Sequence, residues 1–174
     1  MLRLVKPTIR LHTAWLDSRD DWGRGTHQPG AGLRSIDEVD SPAGFAAWVG
    51  RLHAHEDRSV PPEDGWVHCT YRWVINDDEV VGAIALRHEL NDSLLDVGGH
   101  IGYGVRPVAR RRGLASWALG TMLDEARRLG MDRVLLTCKT DNVASARTIE
   151  GHGGLLEDVR DTGSGKSKRY WIPL

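Results

Sequence analysis

The chain has 174 residues, of which 40% are hydrophobic and 27% are charged, and its 23 basic and 24 acidic residues give a formal net charge of -1. These values are ordinary for a globular protein of one domain and exclude a largely disordered chain. They also exclude a global field that would attract nucleic acid or an anionic membrane, so any affinity for anions must be local.

Charge interrupts the start of the chain too early for a signal peptide, and no apolar run approaches the ~18 residues of a membrane span. We therefore expect a cytoplasmic protein. Cys69 and Cys138 lie in apolar, strand-like runs, which favours buried free thiols over a disulfide. The eight histidines are scattered without the spacing of a zinc site, so no metal is predicted.

Two helices are predicted in the first sixty residues, one over about 7–20 and one beginning near Ser41, which can cap it. Between them, the glycine-rich stretch 23–32 is typical of a loop. We expect His53 and His55, at the end of the second helix, to be solvated. The second helix has a core-facing stripe at helical spacing, formed by Phe45, Trp48, Val49 and Leu52.

The pattern becomes strand-like from residue 66 onward. Runs 66–75 and 80–86, joined by a polar turn, predict a β-hairpin, and strands are also predicted at 100–105 and 133–138. The last two flank an amphipathic helix at 114–129. A strand, helix and strand of these lengths predict a parallel pair with a right-handed crossover.

Gly130 is placed to end this amphipathic helix, and Asp124 and Arg128 are expected to pair at i, i+4. The order of elements predicts an α/β fold with a mixed sheet. Three more elements complete the pattern: a helix at 142–151 and strands at 154–160 and 168–174.

The segment TGSGKSKR at 162–169 contains a Gly-Lys-Ser that is typical of nucleotide-binding loops. Such a loop needs a glycine at the position of Arg160 and a helix directly after the lysine, and neither is present. The segment is therefore interpreted as a hairpin turn, and ATP or GTP binding is not expected there.

The loop 106–115, RPVARRRGLA, has the features that the C-terminal turn lacks. It leaves a strand, crowds three arginines and ends in Gly113, after which a helix begins with its N–H groups exposed. Backbone donors and the helix dipole meet at such a site, which is the arrangement that binds phosphate and pyrophosphate groups.

The sequence RRRGLA at 110–115 resembles the R/Q-x-x-G-x-G/A motif of the GNAT superfamily of N-acetyltransferases. GGHIGYGVRP at 98–107 is similar to the central strand of that superfamily, and the segment 140–154 is similar to its later helix. The closing RYWI resembles its final strand. The agreement extends from about residue 66 to the end of the chain.

The resemblance implies one N-acetyltransferase domain over 1–174, with a helical acceptor-side region at about 1–60 and a coenzyme-binding core at about 66–174. The implied fold is α/β, with a mixed, mostly antiparallel sheet, a splayed central parallel strand pair and flanking helices. The implied cosubstrate is acetyl-coenzyme A. Its implied binding residues are Val105, Arg110, Arg111, Arg112, Gly113, Leu114, Ala115, Asn142 and Ser145.

The implied reaction moves an acetyl group directly from the thioester to a primary amine of a small molecule or peptide. A backbone N–H near Val105 would stabilise the oxyanion. His100 is the first candidate for the base because it lies on the central strand and titrates near neutral pH. Glu89, Asp96 or a water chain are alternatives, and His100 could equally have a structural role.

The superfamily often protonates the departing thiolate with a tyrosine, and Ile149 occupies that position here. Ser145, Tyr103 or solvent could replace it, with Ser145 ranked first. The missing tyrosine favours the alternative of a non-catalytic acyl-coenzyme A sensor or interaction module. Asn142 could cap its helix as well as bind the coenzyme. Cys138 could in principle form an acyl-cysteine, but its apolar strand favours an inert thiol.

The sequence leaves the acceptor open between a small amine, a peptide N-terminus and a protein lysine, and it leaves a monomer or a homodimer possible. Aromatic residues near the expected groove would either stack on a ligand or fill a core. Three sets are candidates for contacting the acceptor: Trp15, Trp22 and Trp48; Asp17, Asp20 and Asp21; and His88, Glu89 and Asn91.

Overall fold

The structure is a computed structural model that describes all residues 1–174. Short 3-10 turns precede α1 and follow β4. In chain order the elements are β1 Leu2–Val5, α1 His12–Trp22, α2 Pro42–Glu56, β2 Cys69–Asn76, β3 Glu79–Arg87, α3 Asp92–Asp96, β4 Ile101–Val105, α4 Leu114–Arg128, β5 Arg133–Lys139, α5 Val143–Gly151, β6 Leu155–Asp161 and β7 Lys166–Pro173.

The strands form two sheets, one with the order β1-β2-β3-β4 and the other with the order β5-β7-β6, and every ladder is antiparallel. The predicted hairpin is confirmed as β2 and β3. The expected neighbours β4 and β5 share no ladder. The chain just before β4 joins β5, where the His100 N–H donates to the Leu135 carbonyl at 2.7 Å, and a cleft opens between the two sheets beyond this contact. The predicted α/β class and the splayed strand pair are therefore confirmed.

The first sheet lies between two hydrophobic cores. Successive side chains of a strand point to opposite faces, so Ala83 and Ala85 face one core and Ile84 and Leu86 face the other. The first core packs α1 and α2 on the sheet and includes Trp15, Phe45, Trp48, Leu52 and Trp73. The second core packs α4 and α5 between the sheets and includes Leu119, Met122, Leu136, Ile149 and Tyr170.

Helix α2 forms as predicted. The Ser41 Oγ accepts a hydrogen bond from the Gly44 N–H at 3.0 Å, and all four residues of the predicted stripe are buried. The expectation that the two histidines at its end are solvated is wrong for His55, which is buried against β2. The His53 ring is half-buried and bonds to the Pro7 carbonyl at 2.7 Å.

Several local expectations differ from the structure. β1 was missed because its alternation is only four residues long, and it is added as an edge strand that pairs with β2. Helix α1 begins at His12, after a 3-10 turn, and α3 occupies a segment expected to be a loop. Asp124 pairs with Arg127 rather than with Arg128, which instead pairs with Glu125, so both ion pairs are at i, i+3.

The C-terminal glycine-rich segment forms a tight hairpin turn between β6 and β7, as predicted. The Thr162 N–H donates to the Gly165 carbonyl at 3.0 Å, and Lys166 already lies in β7. No helix of the protein combines the length and apolarity that crossing a bilayer requires.

Candidate active site

The arginine-rich loop connects the end of β4 to the start of α4. Arg111 and Gly113 both have left-handed backbone conformations, with φ of +61° and +75°. A Cβ atom added at Gly113 would meet no protein atom within 4 Å, so the surface above this residue is open. The loop therefore offers a backbone that a ligand could approach closely.

The N-terminus of α4 has no side-chain cap, although helix N-termini commonly have one. The first helical hydrogen bond runs from the Trp117 N–H to the Gly113 carbonyl at 3.0 Å. The N–H groups of Leu114, Ala115 and Ser116 precede it and have no partner within the helix. Together with the helix dipole they are suited to binding an anion.

The four arginines between 106 and 112 are not equivalent. Arg106 is paired with Asp21 at 3.2 Å and holds the loop against α1. Arg110 donates from Nε to the Val105 carbonyl at 3.0 Å, and its guanidinium lies 5.0 Å from the centroid of the Trp22 ring. Arg111 and Arg112 are exposed and have no carboxylate partner. The unneutralised charge of this loop therefore lies beside the open helix N-terminus.

The cleft between the sheets has a volume of about 510 Å³. Its walls combine β2, β3 and β4 of the first sheet with β5 and the start of α5, and Tyr103, Cys138, Asn142 and Ser145 all line it. The cleft is thus formed by segments that are distant in the sequence.

The backbone of β4 presents free donors on its open side. The Arg106 N–H donates to Val81 and the His100 carbonyl accepts from Arg87, so β4 bonds to β3 through its even-numbered residues. In an antiparallel ladder this alternation directs the N–H groups of Tyr103 and Val105 away from β3. These donors face the side on which the two sheets separate.

Two hydroxyl groups meet across the opening. The Tyr103 hydroxyl and the Ser145 Oγ are 2.9 Å apart. Asn142 caps α5 by accepting a hydrogen bond from the Ser145 N–H at 3.1 Å, which fixes the position of the serine. Burial raises the pKa of Tyr103, so its phenol keeps its proton at neutral pH and can donate.

Cys138 lines the same cleft but is poorly suited to nucleophilic attack. Burial raises the pKa of its thiol, and the thiolate is the reactive form. Ile149, at the position of the superfamily tyrosine, is 1% exposed and belongs to the second core.

His100 lies in the seam between the two sheets and does not line the cleft. Its Nδ1 accepts a hydrogen bond from the Leu135 N–H at 2.8 Å, and only 8% of the residue is exposed. Burial lowers the pKa of His100 to about 4. This placement corrects the expectation that His100 lies beside the thioester and favours its structural alternative, because it binds two strands together.

The alternative carboxylate bases lie elsewhere. Glu89 is exposed, with a carboxylate oxygen 3.7 Å from the His68 Nδ1, and Asp96 is paired with Arg160. Neither residue lines the cleft, nor does His88, whose Nε2 is 2.8 Å from the Thr70 Oγ1. Asn91 does line it.

The other acceptor candidates have structural roles, except Asp17, which is exposed and lies outside the cleft. Trp15 and Trp48 are each 2% exposed and fill the first core, while Trp22 lies under Arg110 outside the cleft. In the acidic cluster, Asp20 contacts Arg19 and Arg24, and Asp21 contacts Arg106. The glycine-rich stretch does form a wall: a Cβ atom at Gly30 would lie 2.5 Å from the Gly102 carbonyl, so the loop packs directly on β4.

The side chains of the cleft that sequence reasoning missed include Arg34, Trp66, Tyr71 and Arg87. Arg34 is bonded to Glu63 at 3.1 and 3.2 Å, and its guanidinium lies 3.8 Å from the centroid of the Trp66 ring. The Tyr71 hydroxyl lies 3.5 Å from the His55 Nδ1. One signal was available for Arg87, because a charged residue that ends an apolar strand and shares its inward face is unusual.

The family model for the acetyltransferase (GNAT) domain matches residues 33–154, more than half of the chain. The protein belongs to the GNAT acetyltransferase family. No curated protein sequence matches the chain significantly. As a member of this family, the protein is an acyltransferase with acetyl-coenzyme A as its cosubstrate. The open, uncapped N-terminus of α4 fits the pyrophosphate of that cosubstrate.

Solved structures of other acetyltransferases share its fold. An acetyltransferase from Salmonella typhimurium that modifies the N-terminal serine of ribosomal protein L7/L12 has 17% identity and a TM-score of 0.67, with 99% of this chain and 95% of that chain covered. Mycobacterium smegmatis RimJ, solved with a coenzyme A disulfide, has 18% identity and a TM-score of 0.72, with 99% and 81% covered. MccE, a microcin C7 self-immunity acetyltransferase solved with acetyl-coenzyme A and AMP, has 13% identity and a TM-score of 0.67, with 99% and 92% covered.

Proposed function

We propose that this GNAT protein transfers the acetyl group of acetyl-coenzyme A directly to a primary amine of a small molecule or peptide. The observation that carries the proposal is the continuity of two sites. The open helix N-terminus after β4 is suited to the pyrophosphate, and the free donors of β4 lead from it to the cleft with the Tyr103–Ser145 pair.

The coenzyme would be held by the loop residues that the family motif indicates. The N–H groups at the start of α4 would bind the pyrophosphate, and the exposed side chains of Arg111 and Arg112 would supply charge. The bound cosubstrate would supply a thioester, whose carbonyl carbon is the atom that the amine attacks. The Val105 N–H, directed away from β3, would donate to the oxygen of that carbonyl.

The Tyr103–Ser145 pair would serve the departing sulfur. Its hydroxyls are in contact and the phenol keeps its proton, so Tyr103 can donate a hydrogen bond to the sulfur while Ser145 orients it. This arrangement replaces the tyrosine that is absent at Ile149 and removes the main argument for a non-catalytic sensor.

The route by which the amine loses its proton follows from what the cleft contains. His100, Glu89 and Asp96 lie outside it, which leaves a water route among the alternatives. An α-amino group, with a pKa of about 8, is substantially neutral near pH 7.5, whereas a lysine-type amine near 10.4 is not. No carboxylate lines the cleft, and its one histidine, His27, is exposed, which favours an α-amine of a small molecule or peptide as the acceptor.

The proposal is tested first by thermal unfolding with acetyl-coenzyme A, using ATP as the control ligand. Coenzyme at about 100 times its dissociation constant should add roughly 2.7 kcal/mol of stability, a rise of several degrees, and ATP should not. Thiol release across a panel of amines then separates an enzyme from a sensor, because a sensor binds the coenzyme without turnover.

The location of the coenzyme is tested by Gly113→Glu, with Gly113→Ala as the matched control. Alanine adds a Cβ into open space and about 1–2 kcal/mol of backbone strain, so the fold should survive and the coenzyme should still produce a smaller thermal shift. Glutamate adds bulk and negative charge where the pyrophosphate would lie, and the thermal shift should disappear. A folded Gly113→Glu protein that keeps the full shift would move the coenzyme site away from this loop.

A further inference from the structure

The wall of the cleft has an unusual charge. Arg34 and Arg87 line it, and no aspartate or glutamate does. A site for a polyamine or another polycationic acceptor would need the opposite sign, because like charges that face each other across a binding site are repulsive. The composition of the wall therefore selects against acceptors with additional positive charge.

The two arginines differ in how their charge is neutralised. Arg34 has a carboxylate partner, since both of its Nη atoms bond to Glu63. Arg87 has none. Its only hydrogen bonds run from Nη1 to the carbonyl oxygens of Gly98 at 3.3 Å and Gly99 at 3.1 Å, which leaves Nη2 and Nε unpaired. Arg87 is thus a half-buried cation without a counter-charge in a cleft.

The charge of Arg87 acts on the floor of the cleft. Burial raises the pKa values of the Cys69 thiol and the Tyr71 phenol, and the nearby charge of Arg87 opposes part of that rise. Both residues lie on the neighbouring strand, where Cys69 pairs directly with Arg87 and Tyr71 pairs with Ala85. An anion bound to Arg87 would therefore lie over the same face of the sheet.

The position of Arg87 separates it from the pyrophosphate site. Arg87 ends β3 beside the first residues of β4, whereas the phosphate-binding loop follows the last residue of β4. The strand from Ile101 to Val105 spans roughly 13 Å at about 3.3 Å per residue. The coenzyme pyrophosphate at Gly113 is therefore too distant to be the ligand of Arg87.

We propose that the acceptor carries an anionic group, a carboxylate or a phosphate, close to its reactive amine, and that Arg87 binds this group. This inference rests on the proposed acetyl transfer and narrows its substrate class. An arginine held by two backbone carbonyls presents its remaining N–H groups in a fixed orientation, which suits carboxylate and phosphate oxygens. Arg87 is then the residue that determines acceptor specificity.

The first test compares acceptors that differ only in charge. Tripeptide amides, whose blocked C-terminus carries no charge, with a free N-terminal serine and aspartate, phosphoserine, asparagine or lysine at the second position are assayed by thiol release, alongside β-alanine, phosphoethanolamine, β-alaninamide and 1,3-diaminopropane. In the peptides and in the small amines alike, the carboxylate or the phosphate acceptor, whichever reacts faster, should have a kcat/KM about tenfold to a hundredfold above that of the neutral acceptor. This is the range expected for a charged hydrogen bond. The aspartate and phosphoserine arms distinguish carboxylate from phosphate. Equal rates for anionic and neutral acceptors would overturn the proposal.

The second test asks whether Arg87 causes the preference for anionic acceptors. Arg87→Gln should remove the advantage of the anionic acceptors, Arg87→Lys should keep part of it, and Arg87→Glu should favour the cationic members. Arg72→Gln is the matched control, since Arg72 is a half-buried arginine on the adjacent strand that is paired with Glu56 outside the cleft. It should retain the preference of the wild type. An anionic preference that survives in a folded Arg87→Gln enzyme would exclude Arg87 as its cause.

Failure of this inference is distinguishable from failure of the proposed function. The thermal shift with acetyl-coenzyme A reports the coenzyme site and should persist in every Arg87 variant. If the coenzyme binds but none of these amines is acetylated, calorimetric titration of the tripeptides into the coenzyme A complex replaces the rate comparison. Binding of the anionic peptide in preference to the neutral one supports the inference, and equal or absent binding overturns it.

Discussion

The hydroxyls of Tyr103 and Ser145 belong to segments that are 42 positions apart, and they meet at 2.9 Å where the two sheets separate. Each is held by its own element, Tyr103 by β4 and Ser145 by the capped start of α5. Burial keeps the phenol protonated, while the position that usually supplies the superfamily tyrosine is filled by a core isoleucine. At the residue scale, we therefore propose that this different pair of side chains provides the hydrogen bond to the departing sulfur.

Tyr103→Phe should lower kcat about tenfold to a hundredfold, because a hydrogen bond to a charged group contributes about 1.5–3 kcal/mol. The KM for acetyl-coenzyme A should change little, since the phenyl ring keeps its packing. Ser145→Ala should cause a smaller loss, because it removes only the partner that orients the phenol. Steady-state kinetics with an accepted amine measures both, and an unchanged kcat in Tyr103→Phe would exclude the pair from catalysis.

At the scale of elements, the seam between β4 and β5 decides where the cleft can open. The His100 backbone N–H donates to the Leu135 carbonyl, and the Nδ1 of the His100 ring accepts a hydrogen bond from the Leu135 N–H. The ring accepts only while Nδ1 is unprotonated, so the seam depends on a neutral imidazole. The same burial that suits this structural role makes His100 a poor candidate for the catalytic base.

The folded-state pKa of His100 is about 4, below the value near 6.5 of an unfolded chain. The unfolded state therefore binds the proton first on acidification, and stability falls from about pH 6.5 to about pH 4, by about 3 kcal/mol from this group. His100→Asn keeps an acceptor but does not titrate, so its stability should decline less over this range. Urea unfolding at pH 7 and pH 4.5 measures the difference.

The activity of His100→Asn near pH 7.5 tests whether His100 also has a catalytic role. If His100 only joins the strands, His100→Asn should keep kcat/KM close to that of the wild type. A loss of about 10² or more in a variant that keeps the wild-type thermal shift with acetyl-coenzyme A would instead restore His100 as the general base.

At the scale of the whole molecule, the two cores share the first sheet. Alternate residues of β3 face α1 on one side and α4 on the other, so neither core can be lost while the strand remains ordered. The cleft and the arginine-rich loop lie at the junction between these layers. The arrangement predicts that residues 1–174 unfold as a single cooperative unit.

Leu52→Ala in the first core and Met122→Ala in the second remove side chains that are 1% and 0% exposed. Each should cost about 2–5 kcal/mol, and each should shift one common transition rather than create a second. Chemical denaturation followed by tryptophan fluorescence and by far-UV circular dichroism tests this, because most buried tryptophans lie in the first core. Separate midpoints for the two probes would show that the cores unfold independently.

Elements that rest on local signals were predicted well. The capped, amphipathic α2 and the hairpin of β2 and β3 carry their patterns within a few residues, and so does the glycine that precedes α4. Short elements such as β1 and α3 were missed, because four or five residues hold too little periodicity and their stability comes from pairing and packing. The solvated state expected for His55 was wrong because a sequence does not reveal which strand covers a helix end.

By itself, the sequence determined the α/β class, the order of the main elements and the arginine-rich loop before α4, because chain direction, glycine geometry and an exposed helix start are local properties. Only the tertiary structure decided which side chains share the cleft. It placed His100 in a seam, brought Tyr103 to Ser145 and left Arg87 without a counter-charge. These relations depend on contacts between distant segments and on burial, which sets both pKa values and the cost of an unpaired charge.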